Sequence, residues 1–200
     1  MLRPRRGAAA DLLAVGLGNP GAEFAGTRHN AGADVIALLA ARRDERLKLA
    51  KRERSLVAEI KVNGKRLALA FPQTYVNESG VAVVQLVRRF GIPPEDLSRL
   101  VVIHDELDLT VGRLQVKAGG GLAGHNGLRS IKAHLHSDEF TRVRIGIGKP
   151  PSKEQGADHV LRPAPKRERT ELAVVIEEAA DAVECMLVEG VVAAQNRFNG

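Results

Sequence analysis

A histidine, an aspartate and three asparagines stand where the chain turns: His29 in a polar loop, Asp105 at the end of an apolar run, and Asn19, Asn77 and Asn126 in further loops. A neutral imidazole takes a proton from water near pH 7, and a carboxylate on its other nitrogen fixes the tautomer and steadies the imidazolium. Asparagine amides can hold a water, bind backbone-like groups or donate to a developing oxyanion. No G-x-S-x-G segment occurs, so an acyl-enzyme through serine lacks support. Together these residues make a base without a covalent nucleophile. Such a set suffices for an ester, whose carbonyl is more reactive than an amide's.

Other groupings compete with this set. Gly16-x-Gly18-x-x-Gly21 matches the dinucleotide fingerprint and follows an apolar run. Its context fails: Pro20 removes an amide donor where a pyrophosphate needs one, and the next helix starts about ten residues late. No acid stands at the end of the following strand to take a ribose. His104, Asp105, Glu106 and Asp108 could suggest a divalent metal, but Asp105 and Glu106 point to opposite sides of an extended chain, and no His pair has ligand spacing. A solvated strand end with one useful carboxylate is the better expectation. Cys185 lies in an apolar helical stripe without a nearby His and reads as a packing residue.

The elements that must position the first set can be placed from pattern. Residues 12–18 are small and apolar, which suits a buried strand, and Asn19-Pro20-Gly21 ends it abruptly. Asn19 and His29 are therefore expected near the strand's carboxyl end, where open α/β sheets bind ligands. A helix is expected over residues 33–43, then an exposed charged segment over 44–54. Ser55–Val62 and residues 65–71 alternate about Asn63-Gly64, the strongest short hairpin signal. Residues 74–79 cross into a helix that runs to Phe90. A strand over 100–104, one over 112–118, a glycine-rich loop opening a helix over 127–135, and a strand over 140–147 follow. Residues 149–156 read as a mobile loop. The apolar stripe of residues 166–189 predicts a long helix stopped by Gly190. Mixed strand directions with interleaved helices imply a single α/β domain over residues 11–200, three-layered, with a mixed twisted sheet flanked by helices.

The totals bound the partners. The 200 residues are 44% hydrophobic but only 3% aromatic, so a base-stacking platform is not expected and nucleic-acid contact would be mostly ionic. The single cysteine fits a reducing compartment. No apolar run approaches a membrane span. The net charge of +6 is uneven: residues 1–150 carry 24 basic against 15 acidic side chains. A biased soluble surface and a polyanionic substrate drawn to one face are both compatible with that asymmetry. Residues 1–10 hold three arginines and no acid and are expected to form a disordered basic tail.

The stretches VGLGNPGAEFAGTRHNAG, TYVNESG, VIHDELDL, GGGLAGHNGLRSI and FTRVRIGIGKP closely resemble the bacterial peptidyl-tRNA hydrolase family, in order from about Leu12 to Asn196. The resemblance implies a monomeric cytoplasmic protein of the peptidyl-tRNA hydrolase-like (phosphorylase/hydrolase-like) fold that cleaves the ester joining a peptide to the 3′-terminal ribose of tRNA. It implies no metal, cofactor or membrane. It assigns His29 as general base and Asp105 as its orienting partner. Asn19 and Asn77 would position peptide and water, and Asn126 would stabilise the tetrahedral intermediate. His125 would shape its loop, Tyr75 and Phe24 would meet the substrate, and Lys117 and Arg144 would clamp the tRNA 5′ phosphate. Three positions depart from the family pattern: Val76 stands where Met is frequent, Gln115 where Lys is frequent, and Phe24 where some relatives have Tyr. A catalytically inactive RNA-binding protein on the same fold is the rival reading. Retention of His29, Asp105 and the three asparagines argues against it. If the leading reading holds, Asp105, Asn77 and Asn126 should converge on the corner that carries Asn19 and His29.

Overall fold

The computed structural model describes residues 9–150 and 152–200. β1 (Leu12–Gly16), β4 (Lys65–Pro72), β5 (Leu100–Glu106) and β7 (Thr141–Gly146) pair in parallel at the centre of one sheet, where β1, the middle of β4 and the first four residues of β5 are apolar runs buried on both faces. β2 (Lys48–Ala50), β3 (Ser55–Val62) and β6 (Leu114–Ala118) pair antiparallel at the margins, giving the order β2-β3-β4-β1-β5-β7-β6.

The β3–β4 hairpin turns at Asn63 and Gly64, with φ of 50° and 78°, which is the pairing their types favour. β2 was not expected: it lies inside the charged segment 44–54 and joins the sheet by three residues at its edge. Edge pairing needs only backbone groups, so it leaves little trace in the side-chain pattern.

Helices cover both faces. α1 (Ala31–Ala41), α5 (Lys166–Glu189) and α6 (Val191–Phe198) pack on one, through Val35, Ile36, Leu39, Val175, Val183 and Ala194 against Ile103, Val143 and Ile145. α2 (Ser79–Arg89) and α3 (Asn126–Leu135) pack on the other, through Val83, Leu86, Leu128 and Ile131 against Leu13, Val15 and Val102. This is the expected three-layer α/β arrangement. Cys185 is buried in α5, as a packing residue would be.

Three corrections bear on the site. β5 does not end at His104 in solvent; it runs on to Glu106, and Asp105 and Glu106 are each 3% exposed. Segment 149–156 leads into a short helix, α4 (Gly156–Leu161), which has no buried residue and so no apolar stripe to betray it. Ala10 is 1% exposed and accepts a hydrogen bond from Arg99, so the chain is anchored from there; the rest of the expected tail, residues 1–8, lies outside the described residues.

The first glycines hold the corner tight. A Cβ at Gly16 would stand 2.1 Å from the Gly32 carbonyl oxygen, and one at Gly32 would stand 2.2 Å from that of Ile103. Glycine at both positions lets the start of α1 lie directly on β1 and β5, which fixes where His29 emerges.

Candidate active site

His29 sits in a 3-10 turn, Arg28–Asn30, just ahead of α1. Its Nδ1 is 2.9 Å from Asp105 Oδ1, at the carboxyl end of β5. The same oxygen lies 3.0 Å from Nε2 of His125, which precedes α3. His125 Nδ1 accepts from the backbone N–H of Gly127 at 3.1 Å, so its proton is on Nε2 and is donated to Asp105. An ionised carboxylate only accepts, so His29 donates Nδ1–H to Asp105, which leaves its Nε2 as the basic nitrogen.

The electrostatics follow from these bonds. Burial opposes charge on His29, but the hydrogen bond to Asp105 and its negative charge outweigh burial and raise the imidazole pKa above 6.5. Burial alone would raise the Asp105 carboxyl; the His125 imidazole beside it and the two ring N–H donors, from His125 and His29, overcome burial and hold the group well below the usual carboxylate range. His104, fully buried beneath His125 with ring centroids 4.9 Å apart, is pushed down to about 3 by desolvation and by His125, and is neutral. It donates Nδ1–H to the Asp105 carbonyl oxygen at 2.7 Å. His104 therefore braces the turn of β5 that presents Asp105.

Asn19 and Asn30 lock the opposite side. The Asn30 amide oxygen accepts from Asn19 N–H at 2.8 Å, and its Nδ2 donates to the Asn19 carbonyl at 2.9 Å. Asn19 Oδ1 in turn accepts from Val76 N–H at 2.9 Å, tying the first loop to the one that carries Tyr75 and Asn77. Asn77 and Asn126 are exposed, and among the described residues their side-chain amides make no hydrogen bond. A cleft of about 530 Å³ collects Asn19, His29, Tyr75, Val76, Asn77, Asp105, His125 and Asn126, with Gly156, Ala157, Val160 and Leu161 of α4 along its wall. The expected convergence on the His29 corner is present.

Other expected site residues lie apart. Phe24 is outside the cleft wall and meets Tyr75 edge-on, with centroids 6.3 Å apart, at the rim. Lys117 and Arg144 are on β6 and β7, away from the cleft lining. Arg144 is not a free cation. Its Nε and Nη2 donate to Glu106 Oε2 at 3.0 and 2.9 Å, and Nη1 donates to Gln115 Oε1. The residue next to Asp105, expected in solvent, is thus the partner of the expected phosphate ligand.

Several residues in the site were not anticipated. Asn30 and Arg28 flank His29 in the sequence, which was the available signal for both. Arg142 is 1% exposed and donates to the carbonyls of Gly119 and Gly121, holding the glycine-rich loop that leads to His125. His125 does shape its loop as expected, by capping α3, but its second bond, to Asp105, links positions 20 apart and has no local signature.

His29, Asp105 and His125 also offer three possible metal-ligand atoms within 4.8 Å of one another. Both ring nitrogens that face Asp105 carry protons in this network, so the triad is built as two donors on one carboxylate. A cation there would have to displace both protons.

A mixed α/β sheet with a carboxylate-bound imidazole and free amide donors in a cleft beyond its strand ends is the arrangement expected of a hydrolytic enzyme that activates water. The family model described as peptidyl-tRNA hydrolase matches residues 13–200, and the chain belongs to that family. The peptidyl-tRNA hydrolase of Cutibacterium acnes is 47% identical over 197 residues, spanning 94% of this chain and 97% of its own. That of Mycolicibacterium gilvum is 48% identical over 188 residues, spanning 94% and 96%. The crystal structure of peptidyl-tRNA hydrolase from Acinetobacter baumannii matches with a TM-score of 0.88 at 39% identity, over 96% of each chain.

Proposed function

We propose that this enzyme hydrolyses the ester between a peptide and the 3′-terminal ribose of tRNA, with water activated by His29. The observation that carries the reading is the His29 Nδ1 to Asp105 Oδ1 bond of 2.9 Å at the wall of a cleft that also holds Asn19, Asn77 and Asn126. Water gives its proton to His29 Nε2 as its oxygen bonds to the ester carbonyl carbon. The Asp105 carboxylate steadies the imidazolium. Negative charge that develops on the carbonyl oxygen is met by the amides of Asn126 and Asn77, which have no other hydrogen bond among the described residues. Collapse breaks the bond to the ribose oxygen, which takes the proton from His29. A peptide acid and free tRNA leave.

Asn19 shapes the wall through Val76, and Tyr75 with Phe24 forms the rim that the substrate passes. Lys117 and Arg144 face the tRNA phosphate; for Arg144 this means sharing its guanidinium with Glu106. The described residues act as one domain on a single sheet. We further take the enzyme to work as a monomer in the cytoplasm and without a metal, the network being that of a base and its orienting carboxylate. No helix among the described residues is long and apolar enough to cross a membrane.

His29→Ala is expected to lower kcat for release of an N-blocked aminoacyl group from tRNA by about 10²- to 10⁴-fold, the worth of a positioned base, with the fold retained. Turnover within a few-fold of the parent enzyme would sink the mechanism. Full activity in the presence of a chelator is expected in the same assay, and loss of activity there would argue for a metal.

A further inference from the structure

The residue just before the base is more heavily engaged than anything the proposed reaction asks of it. Arg28 is 8% exposed, yet its side chain leaves the His29 turn and crosses to the chain that leads out of α4. Nη1 lies 3.2 Å from the His159 carbonyl and 3.5 Å from those of Arg162 and Pro163, and Nη2 is 2.9 Å from Glu168 Oε2, in the first turn of α5. The backbone joins the same contact: Arg28 N–H donates to Arg162 O at 3.3 Å, and Thr27 forms an isolated bridge with Pro163.

These acceptors lie at or beyond the carboxyl end of α4, where helix carbonyls lack partners and the backbone dipoles favour a cation. A planar guanidinium can reach such oxygens through one nitrogen and a carboxylate through another in a fixed fork, which the single nitrogen of an ammonium does not offer. The contact matters because α4 has little else to hold it. None of its residues is buried, and its N-terminus has no side-chain cap. Its other described tether is His159, whose Nε2 is 3.0 Å from the Gly148 carbonyl. Hydrogen bonds rather than apolar burial therefore decide where α4 lies, and Gly156, Ala157, Val160 and Leu161 of α4 form one wall of the cleft.

We propose that Arg28 is a positioning residue that latches the α4 wall to the His29 turn, so that peptide seated against α4 and the base that attacks its ester are held in register. His29 lies between two anchors: Asn30 pins the turn to Asn19, and Arg28 pins it to the α4–α5 junction. Movement of α4 away from the cleft pulls on the same turn that presents His29 to Asp105. The latch rests on the proposed hydrolytic reading for its kinetic consequence, though not for its mechanical one.

The test uses the full chain with R28Q and R28K, and E168Q as a second site. Amide hydrogen exchange over residues 156–161 is expected to quicken in R28Q, with β1 and β5 unchanged. Steady-state hydrolysis of an N-blocked aminoacyl-tRNA and of a longer peptidyl-tRNA is expected to show kcat/KM reduced roughly tenfold or more, the loss of a charged, mostly buried hydrogen-bond set. KM should rise more for the longer peptide, and the acid limb of the pH profile should move to lower pH as the His29–Asp105 bond loosens. R28K, which keeps the charge but not the fork, should fall between the two. A role in folding alone would reduce the active fraction and leave KM and the pH profile unmoved, and that result overturns the latch. So does unaltered exchange over 156–161. If R28Q does not fold, E168Q decides: the same shifts at smaller size support the latch, and parent values of exchange and KM refute it. Failure of the unaltered enzyme to cleave peptidyl-tRNA would instead remove the functional reading, while the exchange result on α4 would still report on the contact.

Discussion

Two carboxyl groups near the His29 turn are both drawn out of water, and their pKa values are moved in opposite directions. Asp105 receives two ring N–H donors and is kept ionised far into acid. Asp34, in the first turn of α1, has its pKa raised to about 6, with burial the sole cause. It lines a second cleft, of about 420 Å³, beside Arg28, Arg169, Leu172 and Ile176. The two arginines there are spent elsewhere, Arg28 on the α4 carbonyls and Glu168, and Arg169 Nε on Ala164 O at 2.9 Å. Burial is common to both acids, so the partners set the direction of the shift. A carboxylate fit to orient a base is one whose desolvation has already been offset by donors.

The strongest way to break this comparison is to remove the charge and keep the acceptor. D105N can still accept both ring N–H groups through its amide oxygen, so the fold should persist, but it cannot steady an imidazolium. We expect kcat to fall about 10²- to 10⁴-fold. The acid limb of kcat/KM should report a His29 pKa above 6.5 in the parent enzyme. In D105N it should move to lower pH, because the charge that raised the imidazole pKa is gone. A limb that stays in place would mean that His29 is not the titrating base. Stability carries the complementary sign. The folded pKa of Asp105 lies below its ordinary 3.8, so its contribution is complete above that pH and is lost as the pH falls.

A smaller effect separates two cations by the same logic of partners. Arg144 is committed to Glu106 in a pair whose side chains are 14% and 4% exposed, whereas Lys117, among the described residues, has no salt bridge. K117A is expected to reduce the salt-dependence slope of tRNA binding by about one phosphate's worth, 0.7 to 0.9. R144A should change the slope less. It should also lower the thermal midpoint, because it strands the Glu106 carboxylate beside Asp105. Equal slope changes would show that Glu106 releases Arg144 fully to the phosphate. An unchanged slope in K117A would remove Lys117 from the interface.

How much of this was legible in the sequence depended on the range of the contact. The β3–β4 hairpin was readable because Asn63-Gly64 specifies its own turn, and α5 because seven apolar positions repeat at helical spacing over one long stretch. His29, Asp105 and the asparagines were readable as residue types at strand ends, and their order carried the family resemblance. What stayed hidden were pairings across the sheet. Glu106 finds Arg144 from 38 positions away, and Asp105 finds a second imidazole in His125. Before those partners are known, an acid after an apolar run looks like a solvated strand end. The α4 helix escaped for another reason: GADHVL buries nothing, and its placement comes from Arg28, 131 positions from His159.

The smallest expected effect closes the contrast from the other side. If Asp34 lacks what Asp105 has, neutralising it should help rather than harm. The unfolded chain ionises this group near 3.8 and the folded protein only near 6, so stability is lost as the pH rises through that interval and the deficit persists above it. D34N keeps the shape and removes the ionisation. At pH 8 it should gain on the order of 2 kcal/mol, somewhat less than the full two-unit shift is worth, because the amide must itself be desolvated. Thermal unfolding of both proteins at pH 8 and at pH 4 checks this: the midpoint should rise by several degrees at pH 8 and far less at pH 4, where the carboxyl is neutral in the folded protein and only partly ionised in the unfolded chain. An equal gain at both values would trace the effect to packing in the second cleft. A loss at pH 8 would mean that the Asp34 carboxylate has a partner in solution, and the contrast with Asp105 would fail.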